Sequence, residues 1–115
     1  MSRLNPNSHA IPELPDLEYL QRELIRSDTS LPYVCLKFKA EWCGPCKRVD
    51  MGAVLQSNPN IQWFEVDADH HSDVLDYCNI STIPAFLAIK QGVPQRVFQS
   101  SKTEDIVAWL RQTFP

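Results

Sequence analysis

No stretch of this chain of 115 residues stays apolar for the roughly 18 residues that suggest a membrane-spanning helix. Lysine and arginine never cluster, and the formal net charge is −3. A nucleic-acid or anionic-membrane role is therefore not expected. A Gly-rich dinucleotide fingerprint is missing, so no bound cofactor is expected. There is no internal repeat, low-complexity tract or second hydrophobic unit, which points to a single domain. The first residues, MSRLNPNSHAIPELP, lack the apolar core of a secretory signal and the arginine content of a transit peptide. A cytoplasmic setting is the expectation.

What is present is an ordinary globular composition, 43% hydrophobic and 22% charged, enough for one core without staples. Cysteine is the informative residue. Cys35 and Cys78 stand singly among apolar neighbours and read as small packing residues. Cys43 and Cys46 lie within one tight motif, AEWCGPCK. In a reducing compartment such a pair is a redox or metal candidate rather than part of a disulfide framework.

Residues 1–15 carry Asn5, Pro6, Asn7, Pro12 and Pro15. They read as an N-terminal arm, with a short edge strand near His9–Ile11, ahead of a domain over residues 16–115. Asp16 can cap a helix with Leu17, Leu20, Leu24 and Ile25 at helical spacing. Residues 33–38 read as a strand, with Val34, Leu36 and Phe38 on one face and Tyr33, Cys35 and Lys37 on the other. That run suggests burial on both faces, which makes Lys37 odd. A helix is expected from the CGPC motif through Val49, Ala53, Val54 and Leu55, ending at Ser57-Asn58-Pro59-Asn60. Further strands are expected at residues 61–66, 85–89 and 96–98. A short helix over Val74, Leu75 and Cys78 would be capped by Asp67, Asp69 or Ser72. A last helix carries Ile106, Val107, Leu110 and Phe114, with a capping box at Ser101–Glu104. The order predicts an α/β fold, a central mixed sheet with helices on both faces.

At a strand–helix junction the first cysteine of CGPC meets unpaired N–H groups, which favour its thiolate. The thiolate is the attacking species in disulfide exchange. One turn later the second cysteine faces the same side. Gly44 permits close approach of another chain, and Pro45 suits the first turn of a helix. A zinc site needs about four ligands. Cys43 and Cys46 supply two, and the adjacent His70 and His71 point apart, so no metal is expected. Asp67, Asp69, Asp73 and Asp76 lack the glycine and terminal glutamate of a calcium loop and read as a solvated face.

AEWCGPCK closely resembles the active-site sequence of the thioredoxin family. Phe64-Glu65-Val66-Asp67, Ile83-Pro84 and Lys90-Gln91-Gly92 resemble further family features in order and spacing, over about residues 16–114. The resemblance implies a thioredoxin fold and reduction of protein disulfides. It makes Cys43 the exposed attacking thiol, Cys46 the buried resolving thiol and Cys43–Cys46 the redox disulfide. Trp42 becomes an aromatic shelf. Pro84 becomes a cis-proline that shapes the groove and keeps metals away, and Ile83 presents backbone to an extended substrate. It implies a monomer recharged by a flavin- and NADPH-dependent thioredoxin reductase.

Three positions depart from the family pattern. Lys37 stands where close relatives carry a buried aspartate beneath the second cysteine. A neutral Lys37 could accept the Cys46 proton, a charged one could favour the Cys46 thiolate, and a bent stem could carry the ammonium to water. Glu65 is a candidate counter-charge, and Trp63 a candidate cation–π face. Met51, followed by Gly52, replaces a kinking proline. Ser100 replaces a glycine of the substrate groove. These departures keep a second expectation in view, a non-catalytic binding or assembly module on the same fold. A third, an oxidase or isomerase, is disfavoured by Gly-Pro between the cysteines.

Overall fold

The computed structural model describes residues 11–115. The chain runs α1 (Leu17–Tyr19), a π-helical turn (Leu20–Leu24), β1 (Tyr33–Lys39), α2 (Gly44–Lys47), α3 (Met51–Ser57) and β2 (Gln62–Asp67). It continues through α4 (Ser72–Tyr77), β3 (Ala85–Lys90), β4 (Val93–Pro94), β5 (Phe98–Gln99) and α5 (Thr103–Thr113). The sheet order is β2-β1-β3-β4, with β5 also paired to β3. β1 runs parallel to β2 and antiparallel to β3. The mixed sheet expected from the element order is what forms.

Alternation along β1 sorts the core into two layers. Val34, Leu36 and Phe38 pack with Leu14 ahead of α1, Leu20 and Leu24 of the π turn and Val74 of α4. Cys35 packs with Val54 of α3, Ile106 and Leu110 of α5 and Phe114 just after it, on the opposite face. A strand covered on both faces needs apolar residues at successive positions, and residues 34–38 are all buried. Lys37 is included, at 7% exposure.

Several boundaries differ from the sequence reading. Asp16 does cap the first helix, its Oδ1 accepting from the Tyr19 amide at 2.8 Å. The next turn widens, so that the Ile25 amide donates to the Leu20 carbonyl. The helix expected to run unbroken from CGPC is two helices. α2 ends at Lys47, and Asp50 restarts the chain by accepting from the Ala53 amide at 3.2 Å. The break thus falls at an aspartate cap, ahead of Met51 and Gly52. The capping box at Ser101–Glu104 is absent. Lys102 is the N-cap of α5, and the Thr103 hydroxyl instead accepts from the Asp50 amide at 2.9 Å. Neither Asp67, Asp69 nor Ser72 caps α4, whose N-cap is His71.

Part of the segment read as an arm joins the sheet. The Glu65 amide donates to the Pro12 carbonyl and the Leu14 amide to the Glu65 carbonyl, at 2.9 and 2.8 Å. The bridge falls at Glu13, beside Glu65, whereas the edge strand was expected at His9–Ile11. His9 lies outside the described residues. Leu14 is fully buried, so its apolar side chain, rather than the prolines, decides where the packed chain starts.

Candidate active site

β1 delivers the chain to Ala40, and α2 starts at Gly44. The motif thus sits at the junction that its chemistry needs. Cys43 is the N-cap of α2, and its sulfur accepts from the Cys46 amide at 3.1 Å. Pro45 occupies the first turn, where its missing N–H costs nothing. Cys43 and Cys46 are joined as a disulfide, with Cα atoms 5.3 Å apart.

The two sulfur residues are equally covered, at 3% and 4% exposure. Cys43 was expected to be the exposed member. In this oxidised state it is not, because it is bonded to Cys46 and packed with Ala40, Ala68 and Ile83. Access comes instead from the space beside it. A Cβ built on Gly44 would meet no atom within 4 Å, so the face above the motif is open to an incoming chain.

The Ile83–Pro84 peptide is cis. Ile83 packs against the disulfide cluster, and Pro84 is buried where the chain enters β3. Trp42 is 68% exposed yet fixed, since its indole N–H donates to both carboxylate oxygens of Asp69 at 3.2 and 3.0 Å. Trp42, Ala68, Leu75, Ile80 and Ile83 line a hollow of about 390 Å³ on this side. Ser100 lines a different hollow, with Phe98 and Trp109, and its hydroxyl accepts from the Lys102 amide at 3.0 Å. Ser100, which replaces a groove glycine, therefore does not border the hollow beside Trp42.

Behind Cys46 lies a second hollow, about 410 Å³, bordered by Lys37, Lys39, Glu41, Lys47 and Glu65. Lys37 stands opposite Glu65 in the β1–β2 register. Burial lowers the pKa of its amine, Glu65 draws it back up, and Lys39 lowers it further. Trp63 is in register with Cys35, and its ring meets Phe86 edge-on at 6.2 Å. The ion pairs at this edge belong to Lys39, 3.8 Å from Glu65 and 3.5 Å from Asp67. Burial pushes the Asp67 carboxyl up, but the Asp69 amide, Lys39 and His70 together outweigh it and hold it below its ordinary value.

Sequence reasoning missed Lys39 and Asp69. Lys39 could have been found only from the strand register, which aligns it with Asp67. Asp69 left no signal beyond its charge. Among the described residues no group of three or more His, Cys, Asp or Glu could hold a metal ion. His70 and His71 lie near Asp67 and Glu13, at 3.9 and 3.7 Å. Burial pushes the Cys78 thiol up to about 11 and the Cys35 thiol well above its ordinary value, which suits packing roles for both. Among the described residues no helix is long and apolar enough to cross a membrane.

The family model for thioredoxin matches residues 19–112. A thioredoxin from Ophiophagus hannah is 27% identical over 93 residues, covering 79% of this chain and 87% of that protein. The thioredoxin of Homo sapiens is 30% identical over 81 residues, covering 69% and 77% respectively. In structure, thioredoxin from Trypanosoma brucei brucei superposes with a TM-score of 0.77 at 21% identity, covering 98% of this chain and 96% of that one. With the junction disulfide in place and most of its length matched, the chain belongs to the thioredoxin family of thiol–disulfide oxidoreductases.

Proposed function

We propose that this protein reduces protein disulfides, with Cys43 attacking and Cys46 resolving. The Cys43 thiolate would attack one substrate sulfur, breaking the substrate S–S bond. The departing sulfur leaves as a thiolate and takes up a proton. Cys46 then loses its proton and attacks Cys43, releasing the second substrate sulfur as a thiol. Two electrons pass to the substrate, and the Cys43–Cys46 disulfide keeps the oxidation.

The observation that carries this reading is the Cys46 amide pointing at the Cys43 sulfur at 3.1 Å. A donor aimed at the sulfur favours its charged form over the thiol. The open face at Gly44 gives a substrate its approach. The Ile83 backbone and the Trp42 shelf would hold an extended segment through main-chain hydrogen bonds, which tolerate many sequences. Pro84, buried beside Ile83, shapes that groove. A thioredoxin reductase would return the disulfide to the dithiol. A monomer in a reducing, cytoplasmic compartment fits this cycle.

Insulin reduction with dithiothreitol tests the proposal. The parent should accelerate precipitation, and Cys43→Ser should return it to the uncatalysed rate. Equal rates for parent and Cys43→Ser would leave the binding-module reading standing. Cys46→Ser should trap mixed disulfides with its substrates.

A further inference from the structure

The exchange chemistry leaves Lys37 unused. Its side chain is 7% exposed in the middle of the sheet, where an unpaired charge is costly. The obvious counter-charge, Glu65, is in ion-pair contact with Lys39 instead. Lys39 is held further by Asp67. Among the described residues no carboxylate is in ion-pair contact with Lys37. The residue borders the hollow that Cys46 also borders.

We propose that Lys37 is a positioning residue for the resolving step, holding a positive charge across this hollow from Cys46 so that the Cys46 thiolate is favoured when it must attack. Burial lowers the pKa of the Lys37 amine, and Glu65, opposite it in the β1–β2 register, draws it part of the way back up. The proposed role is that of the protonated amine acting by its charge, not as a base.

The other charges around the hollow do not replace it. Lys39, on the same strand, is offset by Glu65 and Asp67. Glu41, beyond β1, and Lys47, on α2, are exposed and opposite in sign. Val49 and Met51, beside and on α3, and Ile11 contribute no charge to the lining. An opposite charge within about 4–6 Å lowers an acid's pKa by about 1–3 units, and a charge acting across the hollow rather than in direct contact belongs at the low end. Losing about one unit cuts the thiolate fraction about tenfold at neutral pH. The more basic thiolate is about threefold more nucleophilic, so resolution slows about threefold.

The inference rests on Cys46 being the resolving thiol, and its test reads acidity without substrate turnover. Failure of insulin reduction would therefore sink that reading while this measurement still stood. In a Cys43→Ser background, iodoacetamide labelling of the Cys46 peptide is followed by mass spectrometry against pH, which keeps Cys35 and Cys78 out of the signal. Lys37→Arg should leave the midpoint near the parent. Lys37→Met should raise it by about one pH unit, and Lys37→Asp by more. Lys37→Gln, polar and neutral, should match Lys37→Met and serves if either of the others fails to fold. Coincident midpoints, or midpoints that do not follow the charge at position 37, overturn the proposal.

Discussion

Asp69 grips Trp42 with both carboxylate oxygens, at 3.2 and 3.0 Å from the indole nitrogen. The two residues come from different sides of the disulfide, one just before Cys43 and one from the loop after β2. A side chain that is 68% exposed would otherwise sample several rotamers. The bond therefore supplies order in the large aromatic that precedes Cys43. Asp69→Ala should move the Trp42 indole N–H resonance towards its free-solution position. An exposed hydrogen bond sits at the low end of the net range, about 0.5 kcal/mol, so kcat/KM for disulfide reduction should fall about twofold. Global stability should change by less than about 0.5 kcal/mol, because the pair is exposed. An unmoved resonance would show that Asp69 does not hold the indole.

The break between α2 and α3 gives a separate prediction. Asp50 accepts from the Ala53 amide through its side chain and donates its own amide to Thr103. One residue thus starts α3 and ties it to the first turn of α5. Replacing an aspartate N-cap by alanine costs about 1 kcal/mol. Asp50→Ala should show that loss in urea unfolding with an unchanged m-value. Asp50→Asn, which keeps an acceptor oxygen, should recover most of it.

That break also shows where sequence reading stops. The alternation of Val34, Leu36 and Phe38 against Cys35 and Lys37 was legible because a strand's two faces repeat every second residue. The site was legible because Cys43, Cys46 and Ile83-Pro84 are local motifs. Asp50 was not, since an aspartate inside an apolar helical pattern reads as a surface position until the chain is seen to stop before it. Lys39 became a partner of Glu65 and Asp67 only through the parallel register of β1 and β2. Pairings between strands depend on how the whole sheet closes. For the same reason the sequence could propose Glu65 for Lys37 but could not see Lys39 taking it.

Cys78 ties stability to pH in a definite direction. Burial pushes its thiol from 9.0 up to about 11. The folded state then holds the proton more tightly than the unfolded chain does. Stability from this group is complete below pH 9 and is lost as pH rises through about 11. Cys35 acts in the same sense, so the contribution of Cys78 is read by difference. The stability gap between the parent and Cys78→Ala should be constant below pH 9 and shift against the parent between pH 9 and 11. A gap that stays flat to pH 11 would place Cys78 in water. In the same protein, alkylation of Cys78 at pH 8 should run about tenfold slower than for an ordinary thiol. That rate combines a hundredfold smaller thiolate fraction with higher intrinsic nucleophilicity.

The hairpin that joins β3 to β4 carries the sharpest steric prediction. Gln91 and Gly92 both have positive φ, 49° and 80°, as a two-residue turn with right-handed twist requires. They close the ladder between Lys90 and Val93. Gly92 is also buried, and a Cβ there would collide with the backbone carbonyl of Arg26. Backbone cannot give way as a flexible side chain can. Gly92→Ala thus combines a left-handed conformation, worth about 1 kcal/mol against alanine, with a clash that must move the segment after the π-helical turn. Gln91→Gly relieves only the first of these problems and should stabilise or leave stability unchanged. Gly92→Ala should lose about 2 kcal/mol or more, and hydrogen exchange should rise at Arg26 and Gln91 together. A variant that loses less than about 0.5 kcal/mol would mean that the turn and the Arg26 segment do not pack as closely as the structure places them.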